Sequence, residues 1–251
     1  MKNIFNFRRK RMVEEELGLI DKNTPFAIRE ALEALYTNII YLNIEDKCKK
    51  IALSSAVSGE GKSCLSANLA IAIAANAEEK RVLLIDTDLR SAGVSNLFGF
   101  DRSVHGLTEY IAGVDEKPNL VELPQHRITF MPAGALPARP QKIIGSQKMS
   151  EFLAEYSKQF DYIIIDTAPI NIVSDALLLH DKINGYILVT RSDYSDVNET
   201  QTCIEALERV NAEIFGIVLT SLKLKSSSRS GKYLKYNRYS KYSKYHGKYA
   251  E

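Results

Sequence analysis

Six short apolar runs punctuate the chain, at 51–56, 82–85, 128–131, 162–165, 186–190 and 214–220. Each is continuously apolar rather than alternating, the pattern of strands buried on both faces of a sheet. Between them lie stretches with helical spacing at 62–77, 141–160, 173–181 and 196–211. The last opens with Asp196-Val197-Asn198-Glu199, a capping-box pattern. Ahead of all of these, residues 26–42 repeat apolar positions at helical spacing. Strand–helix alternation of this kind predicts an α/β fold, a parallel sheet flanked by helices on both faces.

The pattern changes after residue 222. A serine-rich stretch at 226–231 leads into a triplet in which a basic residue precedes each of Tyr233, Tyr236, Tyr239, Tyr242, Tyr245 and Tyr249. A three-residue period suits neither strand nor α-helix, and Leu234 is nearly the only aliphatic side chain there. Such a segment buries too little surface to offset the entropy of ordering it, so a mobile C-terminal tail is expected. The division that follows is a basic N-terminal extension over 1–23, a folded domain over 24–222 and a basic tyrosine-rich tail over 223–251.

Composition sharpens this division. The 251 residues are 45% hydrophobic and 25% charged, which permits a sizeable core and excludes a wholly disordered chain. The formal net charge is +2, yet residues 223–251 hold nine basic and one acidic side chain, a net +8 that leaves 1–222 at −6. An acidic body with a basic tail is more informative than the total. No apolar run approaches the roughly 20 residues of a spanning helix. The basic start, Met1 to Met12, has no apolar stretch behind it and is not a secretory signal. Cys48, Cys64 and Cys203 are far apart and form no C-x-x-C pair, which disfavours a disulfide framework or zinc site and fits a reducing cytoplasm.

The strongest chemical signal is Ala56-Val57-Ser58-Gly59-Glu60-Gly61-Lys62-Ser63, between a strand and a helix. A phosphate-binding loop needs backbone N–H groups aimed inward, glycines that let phosphates approach, a lysine, a hydroxyl for Mg²⁺ and a helix N-terminus behind the anion. All are present, with Ala56 in place of the usual first glycine, which a negative φ would allow. In a loop without nucleotide, Lys62 is expected to face solvent. Ser58, Gly59, Glu60, Gly61, Lys62, Ser63 and Cys64 are the candidate ATP contacts. Two further strands end in aspartate, at Asp86-Thr87-Asp88 and at Asp166. A parallel sheet brings such ends to one edge, where ligands of open α/β sheets bind. Asp166 suits a Mg²⁺ ligand beside Ser63. Positions 86 and 88 share a face, so one carboxylate could bind metal while the other orients a nucleophile; alternatively Asp88 only caps the next turn.

Together, the phosphate loop, the strand ending Ile85-Asp86-Thr87-Asp88-Leu89-Arg90 and the Ile165-Asp166 strand resemble the bacterial tyrosine kinases of capsule and exopolysaccharide systems. Phe130 to Pro140 is similar to a proline-rich loop of that family, and the tyrosine-rich C-terminus completes a match over about 24–251. The resemblance implies a P-loop NTPase-like fold and an ATP- and Mg²⁺-dependent protein-tyrosine kinase that autophosphorylates its tail in trans and regulates polysaccharide synthesis and export. It implies that Lys62 contacts the phosphates, that Ser63 and Asp166 hold Mg²⁺ with Asp88 assisting, and that Asp86 is the base or orienting group. It further implies a location at the inner face of the membrane through the cytoplasmic segment of a separate membrane activator. The implied partners are that activator, other copies of the chain and a phosphotyrosine phosphatase; nucleic acid is not expected. The family's Glu-x-x-Arg-x-x-Arg subunit-contact motif is reduced to Glu30, with Glu33 and Tyr36 in place of both arginines. The competing reading is a partition- or septum-type ATPase whose basic tail touches membrane or nucleic acid. That class usually carries a signature lysine where this chain has Val57.

Overall fold

A computed structural model describes residues 18–21, 23–77 and 79–221. Seven strands form one sheet: β1 (Lys49–Ser55), β2 (Val82–Asp86), β3 (Val121–Leu123), β4 (Ile128–Met131), β5 (Tyr162–Asp166), β6 (Gly185–Arg191) and β7 (Ile214–Thr220). Their order is β3-β4-β2-β5-β1-β6-β7. All neighbours are parallel except the β3–β4 pair at one edge. The helices are α1 (Phe26–Ile40), α2 (Lys62–Asn76), α3 (Gly93–Leu97), α4 (Leu107–Ala112), α5 (Pro140–Ile144), α6 (Gln147–Tyr156) and α7 (Val197–Arg209), with a 3₁₀ turn at Ala176–Leu179.

The continuous apolar runs are explained by two cores, one on each face, except at 214–220, where the edge strand β7 leaves Ile217 and Leu219 exposed. Successive residues of a strand point to opposite sides. Thus Leu83, Ile85, Ile163, Ile165 and Leu188 join Met149, Phe152, Cys203 and Leu207 of α6 and α7 in one cluster. Their neighbours Val82, Leu84, Ile164, Ile187 and Val189 join Ile39 of α1 and Leu69, Ala70 and Ile73 of α2 in the other. Leu19 and Ile20, in the stretch that the sequence pattern assigns to the N-terminal extension, also pack against this second cluster.

Two sequence expectations change. The stretch 141–160 is not one helix: it breaks at Gly145-Ser146, and the Ser146 side chain accepts from the Met149 N–H to start α6 afresh. The stretch 173–181 is reduced to the 3₁₀ turn. The Asp196 cap is present, its side chain accepting from the N–H groups of Asn198 and Glu199. The tail and its six tyrosines lie outside the described residues. Among the described residues, no helix is long and apolar enough to cross a membrane.

Candidate active site

The strand order places β2, β5 and β1 side by side. Asp86 and Asp166 are register partners at the ends of β2 and β5, and Leu53 of β1 is the next partner of Asp166. Three chemistry-bearing strand ends therefore meet at one edge. From β1 the chain enters the glycine loop, which turns through left-handed Gly59 (φ 84°) and Gly61 (φ 93°) into α2. Side chains with a Cβ rarely adopt such angles. Ala56 is not among the residues with positive φ, so the missing first glycine is tolerated.

Lys62 is the first residue of α2. Contrary to the expectation of a solvent-facing lysine, its side chain is only 11% exposed and its Nζ donates to Asp88 Oδ2 at 3.0 Å. Burial works against its charge, but Asp166, Asp88 and Asp86 together hold its pKa above the usual lysine value. The other Asp88 oxygen accepts from the Ser91 N–H at 3.0 Å. Asp88 thus caps the turn with one oxygen and pairs with Lys62 through the other.

Asp86 and Asp166 are fully buried. Asp86 Oδ2 accepts from the Ser95 N–H and hydroxyl, both at 2.8 Å, while Oδ1 has no partner. Asp166 Oδ1 accepts from Ser66 Oγ at 3.0 Å, and its Oδ2 likewise has no hydrogen bond of its own. Burial pushes both carboxyls up; Asp166 adds to the rise at Asp86, whereas Lys62 and the nearby Ser63 hydroxyl act against it at Asp166. Ser63 is also crowded by α3, where any Cβ on Gly93 would collide with Ser63 Oγ. Buried polar atoms without partners are costly, by about 1–3 kcal/mol each. Asp166 Oδ2 with the nearby Ser63 hydroxyl makes an oxygen-only donor pair of the kind a hard divalent cation takes, and Asp86 Oδ1 is a second unpartnered oxygen at the same sheet edge. The residues present fit Mg²⁺.

Several neighbours had no sequence signal. Ser95 bridges the site to the proline-rich loop, since its Oγ also accepts from the Ala133 N–H at 3.0 Å. Glu109 anchors that loop by accepting from the N–H groups of Gly106 (2.7 Å) and Ala135 (2.9 Å). Glu60, named as a nucleotide contact, is 1% exposed and turns its carboxylate inward to the Val57 N–H (2.9 Å) and the Ser195 hydroxyl. Cys64 turns its thiol toward Asn68 and Gly18, so only its backbone at the start of α2 is left for a nucleotide. On α1, Glu33 is exposed, whereas Tyr36 packs partly against the core.

Comparison with known proteins agrees with this geometry. Residues 47–244 match a family model described as ParA: NUBPL iron-transfer P-loop NTPase. The chain is 31% identical over 205 residues to the tyrosine-protein kinase YwqD of Bacillus subtilis, covering 81% of this chain and 85% of the relative. The kinase domain of the Escherichia coli tyrosine kinase Etk superposes with a TM-score of 0.71 at 27% identity, over 84% of this chain and 87% of that one. The septum site-determining protein MinD of Pyrococcus horikoshii, complexed with Mg-ADP, superposes with a TM-score of 0.56 at 25% identity, over 68% and 70% of the two chains.

Proposed function

The chain belongs to the bacterial protein-tyrosine kinases, built on the ParA-type P-loop NTPase fold, and from that premise we propose that it transfers the γ-phosphoryl group of ATP, with Mg²⁺, to the tail tyrosines of a second copy of itself. The observation that carries this reading is the pair of orphaned, buried carboxylate oxygens of Asp86 and Asp166 beside the glycine loop and Lys62.

Phosphoryl transfer passes through a loose transition state, so positioning and charge neutralisation outweigh strong base catalysis. Lys62 exchanges Asp88 for the nucleotide phosphates, and the loop amides and the start of α2 face the same anion. Ser63 and Asp166 would hold the metal, and Asp88, once Lys62 has left it, would assist there. Bound Mg²⁺ supplies charge neutralisation at the phosphates. Asp86 Oδ1 receives the proton of the acceptor tyrosine. A carboxyl raised by burial is better matched to that task near neutral pH than an ordinary one. Ser95 keeps Asp86 in orientation by occupying its other oxygen.

In the cell the chain works in capsule or exopolysaccharide synthesis and export. A separate membrane protein brings it to the inner face of the membrane through a cytoplasmic segment, and a phosphotyrosine phosphatase resets the tail. The test is an anti-phosphotyrosine blot of purified protein, stripped by phosphatase and then incubated with ATP and Mg²⁺, with and without that segment. Phosphotyrosine should return in the wild type and stay absent in Asp86→Asn. Equal signal in both would remove Asp86 from the proposed role.

A further inference from the structure

Three consecutive carbonyl groups of the glycine loop are each held from outside the loop. The Ser58 carbonyl accepts from Tyr194 Oη at 3.0 Å, the Gly59 carbonyl from Arg191 Nη1 at 3.2 Å, and the Glu60 carbonyl from Thr220 Oγ1 at 2.8 Å. The donors come from the end of β6, the β6–α7 turn and the last residue of β7. In a planar trans peptide the N–H points opposite to the C=O. Fixing these three carbonyls outward therefore aims the N–H groups of Gly59, Glu60 and Gly61 the other way.

The donors are themselves braced. Arg191 lies under the Tyr194 ring, its Cζ 5.5 Å from the centroid. Asp193, in a left-handed conformation (φ 59°), closes the turn that returns Tyr194 over Gly59, where any Cβ would sit 3.2 Å from Tyr194 Oη. Ser195 joins the Arg191 N–H (2.7 Å) to the buried Glu60 carboxylate. The Thr190 carbonyl lies 3.1 Å from the same Thr220 Oγ1, so the one hydroxyl hydrogen is shared between it and the nearer Glu60 carbonyl where β7 meets β6.

We propose that Arg191, Tyr194 and Thr220 are positioning residues that pre-set the phosphate loop for the nucleotide, so that affinity depends on side chains that need never touch it. The inference rests on the reading of the loop as an ATP site. Without the bracket the loop samples other peptide orientations, and part of the binding energy goes into reordering it. Ground state and transition state lose equally, so KM for ATP rises while kcat is retained.

The test compares wild type, Tyr194→Phe/Thr220→Val and Tyr194→Phe/Thr220→Ser, in full-length protein. Mg·ADP affinity is read by calorimetry, KM and kcat by ATP-dependent phosphorylation, and folding by thermal unfolding without nucleotide. Each hydroxyl donor removed should weaken binding about 2–10-fold, so the valine variant, which lacks two, should lose about 4–100-fold in Kd and KM with kcat nearly unchanged. The serine variant, which restores one donor, should recover part of that loss. A valine variant that binds Mg·ADP within about twofold of wild type overturns the bracket, whatever its unfolding temperature. A wild-type protein that binds no Mg·ADP overturns the ATP reading itself.

Discussion

Replacing Lys62 with methionine should destabilise the fold as well as stop transfer. The lysine is 11% exposed in its side chain and pairs at 3.0 Å with an Asp88 that is 1% exposed. Removing one partner of such a pair leaves a buried charge without compensation, which costs about 3–5 kcal/mol. Here the stranded charge adds to Asp86 and Asp166, both already raised by burial. For a domain of this size about 1 kcal/mol lowers the melting temperature by about 2–4 °C, so Lys62→Met should melt about 6–20 °C below wild type at pH 8. The deficit should shrink toward pH 5. Asp86 and Asp166 have raised pKa values in the folded state, and Lys62 is what holds Asp166 down, so the stability these two withhold at high pH returns as they take up protons. Lys62→Met/Asp88→Asn should recover part of the loss at pH 8. Thermal unfolding across pH 5–8 is the assay. Melting of Lys62→Met within about 2 °C of wild type at pH 8 would refute the argument that the pair is a structural element.

Two more outcomes follow from the same carboxylates and from the tail. Because the folded pKa of Asp86 is raised, its favourable contribution is fully present below the ordinary carboxylate range and is lost as pH rises toward neutrality. Nucleotide-free Asp86→Asn should therefore gain in melting temperature over wild type as pH rises from about 4 to 8; a constant difference would contradict the buried, orphaned oxygen. Each phosphotyrosine adds about −1.5 to −2, so about four or five cancel the +8 of residues 223–251. If the unmodified tail is drawn to the acidic body of another copy, replacing all six tyrosines with glutamate should weaken self-association relative to phenylalanine at low salt. The gap should close as salt screens the charges, and equal association at every salt concentration would refute the charge switch.

The sheet was legible because strands buried on both faces must be continuously apolar, and 128–131 matches β4 to the residue; 214–220 matches β7 in extent, but β7 is an edge strand that leaves Ile217 and Leu219 exposed. The three-residue antiparallel strand β3 carries too few positions to form a pattern. The five- and six-residue helices α3 and α4 were missed for the same reason. The break in 141–160 depends on one serine hydroxyl that could equally have pointed to solvent. The convergence of Lys62, Ser63, Asp86 and Asp166 at one sheet edge was legible because strand ends and loop positions are fixed by chain geometry. The residues that hold them were not. Ser66 reaches Asp166 across 100 positions, Tyr194 reaches Ser58 across 136, and Thr220 reaches Glu60 across 160. No local spacing encodes such contacts. The solvent-facing lysine was wrong for a related reason: the motif fixes the residue type, while the neighbour that takes up its charge is decided by how β2 ends beside α2.

The central claim, phosphoryl transfer from one copy's site to another copy's tail, is tested most directly by complementation. One chain carries Asp86→Asn with its tail intact; the other carries an intact site with all six tail tyrosines replaced by phenylalanine. They are mixed with ATP, Mg²⁺ and the cytoplasmic segment of the proposed membrane activator, and phosphotyrosine is mapped by mass spectrometry. The account predicts modification at Tyr233, Tyr236, Tyr239, Tyr242, Tyr245 and Tyr249 of the Asp86→Asn chain, and no tail modification when that chain is incubated alone. A mixture whose Asp86→Asn tail stays unmodified, while wild-type protein labels its own tail under the same conditions, would contradict it.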